Sequence, residues 1–194
     1  MTAMTSGYPI GLEVAPAAPQ SRLTIFFRPI LAIPAAIVGN LIREAGQVVA
    51  LIAWFVILFT GRLPVGLANF MAGSLRWETR VYAYVLLLTG SYPPFSLEDV
   101  PDYPAHVPVA AQLEGRNRLT VFFRLLLVIP HIVVICLLLI AATVVLFIAC
   151  VAALFTGSVP VGMHNFIAGV LRWTVRVSGY TYFLTDEYPP FSMN

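Results

Sequence analysis

Lysine is missing altogether from this chain of 194 residues; all eleven basic positions are arginine. We read that bias chiefly as genome composition, with a smaller contribution from arginine's fitness for phosphate. Charge of either sign is scarce, at 10% of residues where soluble domains carry about 25%. A net charge of +2 leaves no basic footprint, so no nucleic-acid partner is expected. Two cysteines cannot build a disulfide scaffold. Cys136 and Cys150 stand roughly 21 Å apart at helical rise, too far to bridge, and read as small buried hydrophobes. His106, His131 and His164 are too dispersed to share a metal, so none is expected. There is no H-E-x-x-H, G-x-S-x-G, P-loop or dinucleotide fingerprint, hence no expected cofactor and no catalytic residues. The N-terminal stretch lacks the basic region of a signal peptide, and no lipidation box is visible.

What the chain does have is apolar surface. Hydrophobic residues make up 59% and the mean hydropathy is +0.87. Disorder is excluded on those figures. The class that remains is an integral membrane protein.

Shifted by 96 residues, the sequence lies on itself. RLTIFFRPILAIP (22–34) matches RLTVFFRLLLVIP (118–130), and the stretch from Leu58 to Tyr84 matches that from Leu154 to Tyr180. TGSYPPFS (89–96) matches TDEYPPFS (185–192). About 40 of the 75 aligned positions are identical without a gap, which marks a tandem duplication. The organisation expected is an extended segment over 1–21, repeat one over 22–96, a linker over 97–117 and repeat two over 118–194. The order of an arginine-flanked apolar segment ending in IP or IPH, then F-T-G-x-x-P-x-G, N-F, R-W-x-x-R-V-x-x-Y and YPPFS, resembles two copies of a bacterial membrane family called domain of unknown function 4389. The resemblance implies a bacterial plasma-membrane location and brings no activity with it. His131 keeps the IPH form while Ala35 stands in its place in copy one, so that histidine is not essential to both halves.

Leu125 to Phe155 is an apolar run of about 31 residues, where a bilayer core needs roughly 20. Its counterpart, Ile30 to Phe59, carries Gly39-Asn40 and Arg43-Glu44, where a break or a change of environment is expected. Thr60-Gly61 to Pro64 and Thr156-Gly157 to Pro160 end one helix and start the next. The following helices, over 65–89 and 161–185, are less apolar; they either recross the bilayer or lie on its interface. If they recross as two parallel hairpins, ten of the eleven arginines share one side and only Arg62 is opposite. By the positive-inside rule the termini are then cytoplasmic, with a pseudo-two-fold axis along the membrane normal. Arg43 would stand level with Glu78 and Glu44 with Arg80. The fold class expected is thus an all-α integral membrane protein of two helical-hairpin repeats, with short extended or β segments (Tyr8–Val14, Tyr103–Val109, the YPPFS pieces) at the cytoplasmic surface.

The chemistry-bearing pattern is Asn69–Gly73–Arg76–Arg80–Tyr84, repeated as Asn165–Gly169–Arg172–Arg176–Tyr180 on one helical face. Paired guanidiniums one turn apart can hold a phosphate or carboxylate, so Arg76, Arg80, Arg172, Arg176, Asn69 and Asn165 are candidates for binding anionic lipid headgroups. The plainer reading makes these arginines, with Arg28, Arg124, Trp77 and Trp173, anchors at the membrane interface. Gly66, Gly73, Gly162 and Gly169 read as helix-packing positions within the chain, a dimer interface being the alternative. The role expected is a non-enzymatic membrane scaffold or accessory subunit, with lipid or a membrane-protein partner and a homo-oligomer left open. The alternatives are a small transporter or channel at the seam between repeats, and a lipid-phosphate enzyme.

Overall fold

The structure, a computed structural model, describes residues 7–194; the first six residues of the N-terminal segment lie outside it. It is built from six helices and one short ladder. The elements are β1 (Glu13–Val14), α1 (Arg22–Leu31), α2 (Ile33–Thr60), α3 (Val65–Val85), β2 (Ala105–His106), α4 (Arg118–Phe122), α5 (Arg124–Thr156) and α6 (Val161–Thr181). α2 packs along α3 and α5 along α6, so each repeat is a helical hairpin. The turns follow the sequence signals. Gly61 (φ 71°) and Gly157 (φ 81°) take the left-handed conformation that ends a helix, and Pro64 and Pro160 stand just before α3 and α6.

The break expected inside the first apolar segment is absent: α2 runs unbroken from Ile33 to Thr60. Gly39 and Gly46 do not interrupt it, because they serve as close-approach points. A Cβ on Gly39 would stand 3.0 Å from the Trp77 indole nitrogen, and one on Gly46 2.7 Å from Ser74 Oγ. The chain bends instead at Ala32, just before Pro34. Other glycines receive chain segments rather than helices. Gly73 faces the Leu97 carbonyl and Gly169 faces Met193, while Gly66 and Gly162 touch nothing. Cys136 is exposed, not buried as expected, and Cys150 is half-buried against the cluster of Ile25, Leu87 and Val159.

The hairpins do not point the same way. Gln20 N–H bonds the Gly157 carbonyl at 2.8 Å, and its side-chain amide bonds the Leu87 carbonyl just past α3 at 2.9 Å. His164, near the start of α6, meets the Leu88 carbonyl at 3.2 Å. The end of α3 therefore lies beside the turn of repeat two. Reciprocally, Gln112 N–H bonds Leu184 O, Leu63 N–H bonds Leu113 O and Arg116 N–H bonds Gly61 O, so the end of α6 lies beside the turn of repeat one. α3 and α6 are antiparallel, and the two repeats are related by a pseudo-two-fold axis across the helices. This corrects the parallel arrangement and the axis along the membrane normal expected from sequence. The arginine tally that placed both termini on the cytoplasmic side lapses with it. The reason is the leading segments: each repeat's helix start docks on the other repeat's turn, α1 against α5 and α4 against α2.

The axis passes through the ladder. β1 and β2 pair antiparallel, Glu13 opposite His106 and Val14 opposite Ala105, with a further bridge from Ile10 to Val109. Tyr8–Val14 and Tyr103–Val109 thus pair where the sequence left pairing open, while the YPPFS pieces form no strand. The paired segments cover one face of the α3–α6 pair, with Ile10, Leu12, Tyr103, Ala105 and Val107 buried beneath. Antiparallel hairpins make a direct expectation. Spin labels on cysteines replacing Arg62 and Ser158 should lie on the order of 30 Å apart or more, about the length of α3. A distance under about 20 Å by pulsed electron resonance would contradict this fold.

Candidate functional site

Helix α3 ends in a backbone conformation that needs support. Leu87 has φ 63°, and Phe183 repeats it after α6 with φ 56°. A left-handed non-glycine residue costs roughly 1–2 kcal/mol. The turn closes through Leu88 N–H to Ala83 O and Leu184 N–H to Gly179 O. Its remaining carbonyls are held from inside by an arginine of the leading helix segment. Arg28 Nη1 donates to Tyr84 O at 2.7 Å and Thr89 O at 3.0 Å. Arg124 Nη1 donates to Tyr180 O at 2.8 Å and Thr185 O at 2.9 Å. Each guanidinium also lies over its tyrosine ring, at 4.4 Å for Tyr84 and 4.2 Å for Tyr180. Arg28 and Arg124, expected as interface anchors, are instead buried at 3% and 0% exposure. Arginine serves here because its forked donors satisfy several carbonyls at once.

The two clamps are completed differently. In repeat one, Arg28 meets the neutral Gln20 Oε1 at 2.7 Å. In repeat two, Arg124 and Arg116 share Asp186 Oδ1 at 2.5 and 2.7 Å, and Asn117 N–H bonds its other oxygen at 2.8 Å. Burial pushes the Asp186 carboxyl up, but the Arg116 and Asn117 hydrogen bonds and the charges of Arg116 and Arg124 outweigh it and hold the group below the usual carboxylate range.

The repeated arginine faces are likewise turned inward. Arg80 donates to Ser96 O at 2.5 Å and Glu98 O at 3.3 Å; Arg176 donates to Ser192 O at 3.3 Å and to Asn194 O. Arg76 bonds Val107 O at 3.3 Å and stands 3.7 Å from Asp99; Arg172 bonds Leu12 O at 3.0 Å and Met193 O at 2.8 Å. These four residues tie the YPPFS segments and the ladder strands to α3 and α6. Backbone carbonyls take up several of the donors offered above to a lipid phosphate, while Arg80 Nη1 and Arg176 Nε stay buried without a partner. Asn69 and Asn165 are exposed, on the outer side of their helices. Trp77 and Trp173, also expected as interface anchors, are buried at 2% and 6%, with ring centroids 5.2 Å from Phe95 and 5.7 Å from Phe191. The Trp173 indole N–H donates to His131 Nδ1 at 3.1 Å, while Trp77 Nε1, facing Ala35 where copy two has the histidine, has no partner. Glu44 does not reach Arg80; it pairs with its neighbour Arg43 at 3.3 Å.

What the sequence did not reveal is a cavity of about 810 Å³ at the seam of the two repeats, bounded by α2, α3, α5 and α6. Within a helix, two residues' separation turns the side chain by about 200°. So Arg76 and Arg172 face the ladder while Glu78 and Thr174 face the cavity, on the opposite side of the same helices. Glu78 accepts from the Tyr182 hydroxyl at 2.7 Å across the seam. Arg43 and Gln47 line the same wall. Among the described residues no cluster of His, Cys, Asp or Glu is placed to hold a metal ion.

Two outcomes follow from the clamps. Arg124→Ala removes one of the two arginines on Asp186 and leaves the buried Thr185 carbonyl without its donor, and should cost about 1–3 kcal/mol in unfolding experiments in detergent. Asp186 has a folded pKa below its unfolded value, so its stabilisation is full above about pH 4 and is lost as pH falls through the folded pKa. Acid unfolding followed by tryptophan fluorescence should therefore lose part of its pH dependence in Asp186→Asn; an unchanged profile would show that the carboxylate does not carry the effect.

No curated protein and no solved structure matches the chain. The family described as Domain of unknown function (DUF4389) matches it twice, over residues 22–96 and 118–193. The duplicated motifs that resembled this family are the ones that build the two clamps and hairpins, and the chain belongs to the DUF4389 family as a tandem duplication.

Proposed function

We propose that this protein is a non-enzymatic scaffold or accessory subunit embedded in the bacterial plasma membrane through α2 and α5. The observation that carries the reading is exposure. The most apolar stretches of α2 and α5 have mean hydropathy 1.8 and 3.3, yet only 22% and 17% of their residues are buried. A core helix of a soluble protein buries such a surface. Here Leu41, Phe59, Leu137, Ile140, Phe147 and Phe155 point away from the protein, and lipid is the medium that suits them.

The ladder face has the opposite character. It carries open strand edges and the Glu13, Asp99 and His106 side chains, with His106 Nε2 2.9 Å from Asp99 and Nδ1 3.7 Å from Glu13. Hydrocarbon cannot satisfy such groups, so this face meets water or another protein. A chain with apolar flanks and one polar face suits a subunit that seats a partner at the membrane. The arginine faces are occupied internally and give less support to headgroup binding than their spacing alone suggested. The transporter alternative draws on the seam cavity, whose lining is mainly apolar and offers little for an aqueous pathway.

Alkaline carbonate washing of native membranes is the test. The protein should stay in the membrane pellet, and native mass spectrometry in mild detergent should find a stoichiometric protein companion. Release into the supernatant would overturn the embedded reading, and an isolated monomer would overturn the subunit role.

A further inference from the structure

The duplication provides a comparison within one molecule. The residues that hold the fold are the same in both copies: Arg28 and Arg124, Arg76 and Arg172, Arg80 and Arg176, Tyr84 and Tyr180. The seam cavity is lined by both repeats, and several equivalent positions of the two copies line it together. There the copies disagree. Arg43 faces the cavity where copy two has Leu139, Gln47 where it has Thr143, and Glu78 where it has Thr174. At these positions the repeat-one side of the cavity is charged, and the repeat-two side carries hydroxyl and hydrocarbon side chains.

The charged wall is unusual in its pairing. Arg43 and Glu78 line one cavity, and they form no ion pair with each other among the described residues. Arg43 Nε is buried with no hydrogen-bond partner, and Glu78 is held in place only by the Tyr182 hydroxyl. Arg43 spends Nη2 on the exposed Glu44 at 3.3 Å and keeps its buried Nε donor free; that donor and the Glu78 carboxylate, beside an apolar wall, complement a molecule that carries both charges on a polar head and has a hydrocarbon tail. A volume of about 810 Å³ is within the range of roughly 300–1,000 Å³ usual for small-molecule sites.

We propose that the seam cavity is a binding site for a zwitterionic phospholipid with an ammonium-bearing head, its phosphate against Arg43 and Gln47, its ammonium against Glu78, and an acyl chain along the wall of Leu139 and Leu146. Phosphate is matched by guanidinium and amide donors, and a primary ammonium by a carboxylate. The inference rests on the membrane-embedded reading, since the bilayer is the source of the lipid.

The experiment uses the full chain, purified in mild detergent and stripped of lipid. It is titrated with phosphatidylethanolamine or with phosphatidylglycerol of the same acyl chains. Bound lipid is counted by native mass spectrometry, and thermal unfolding is followed by tryptophan fluorescence. Phosphatidylethanolamine should bind once per chain, about tenfold more tightly than phosphatidylglycerol, and raise Tm. Arg43→Gln and Glu78→Gln should each weaken it about tenfold, while Thr174→Val on the facing wall leaves the preference for the zwitterion intact. Ala50→Trp fills the cavity without touching either charge and should abolish binding; it serves if a charge variant does not fold. Equal or tighter binding of phosphatidylglycerol, or variants that bind as the parent does, would overturn the proposal. Absence of binding by a protein that resists carbonate overturns this inference alone. Binding by a protein that carbonate releases overturns the embedded reading and leaves the site standing.

Discussion

The structure depends on one interaction made twice: a buried guanidinium that holds the carbonyls at the end of a helix and at the turn beyond it. Arg28 and Arg124 reach from the leading helix segments to Tyr84 and Thr89, and to Tyr180 and Thr185, over 56 and 61 residues of chain in each case. Without them the left-handed Leu87 and Phe183 would leave strained turns with unpartnered carbonyls in a buried setting. The clamp also fixes the direction of the chain. It ties the start of each repeat to the end of that repeat's second helix, so the rest of the hairpin has to lie between.

Reciprocal docking converts two similar repeats into one body. Gln20 caps the turn at Gly157, and Arg116 caps the turn at Gly61. Each hairpin turn, besides its own local hydrogen bonds, is held by the segment that leads into the other hairpin. Such an exchange forces the hairpins to run in opposite directions and places the ladder on the axis between them. One side of the α3–α6 pair is then sealed by extended chain, anchored by Arg76, Arg80, Arg172 and Arg176. The other side opens into the seam cavity. Two properties that look separate, a polar outer face and a cavity, are consequences of the same packing.

The candidate site was legible in part. The spacing of Arg76, Arg80, Arg172 and Arg176 showed correctly that they share a helical face, but it did not show what that face meets. Their donors go to the carbonyls of Leu12, Ser96, Val107, Ser192 and Met193, main-chain groups that carry no side-chain signature. Arg28 and Trp77 read as surface anchors because flanking arginines and aromatics usually are. Their burial depends on YPPFS folding back over α3, with Phe95 on Trp77. The cavity residues had a signal that went unused: Arg43, Gln47 and Glu78 break the repeat that their neighbours keep.

Sequence alone determined the duplication, the positions of both hairpin turns, the two long apolar helices and the extended character of the segments that form the ladder. These follow from local causes: residue identity at a fixed shift, glycine and proline at helix ends, runs of hydrocarbon side chains. Only the tertiary structure decided that the repeats are inverted, that the arginines are internal and that a cavity lies between the repeats. Hydrophobic periodicity is identical for parallel and antiparallel hairpins. The choice between them is made by long-range backbone hydrogen bonds, such as Gln20 to Gly157 and Leu63 to Leu113, which every residue type but proline can offer.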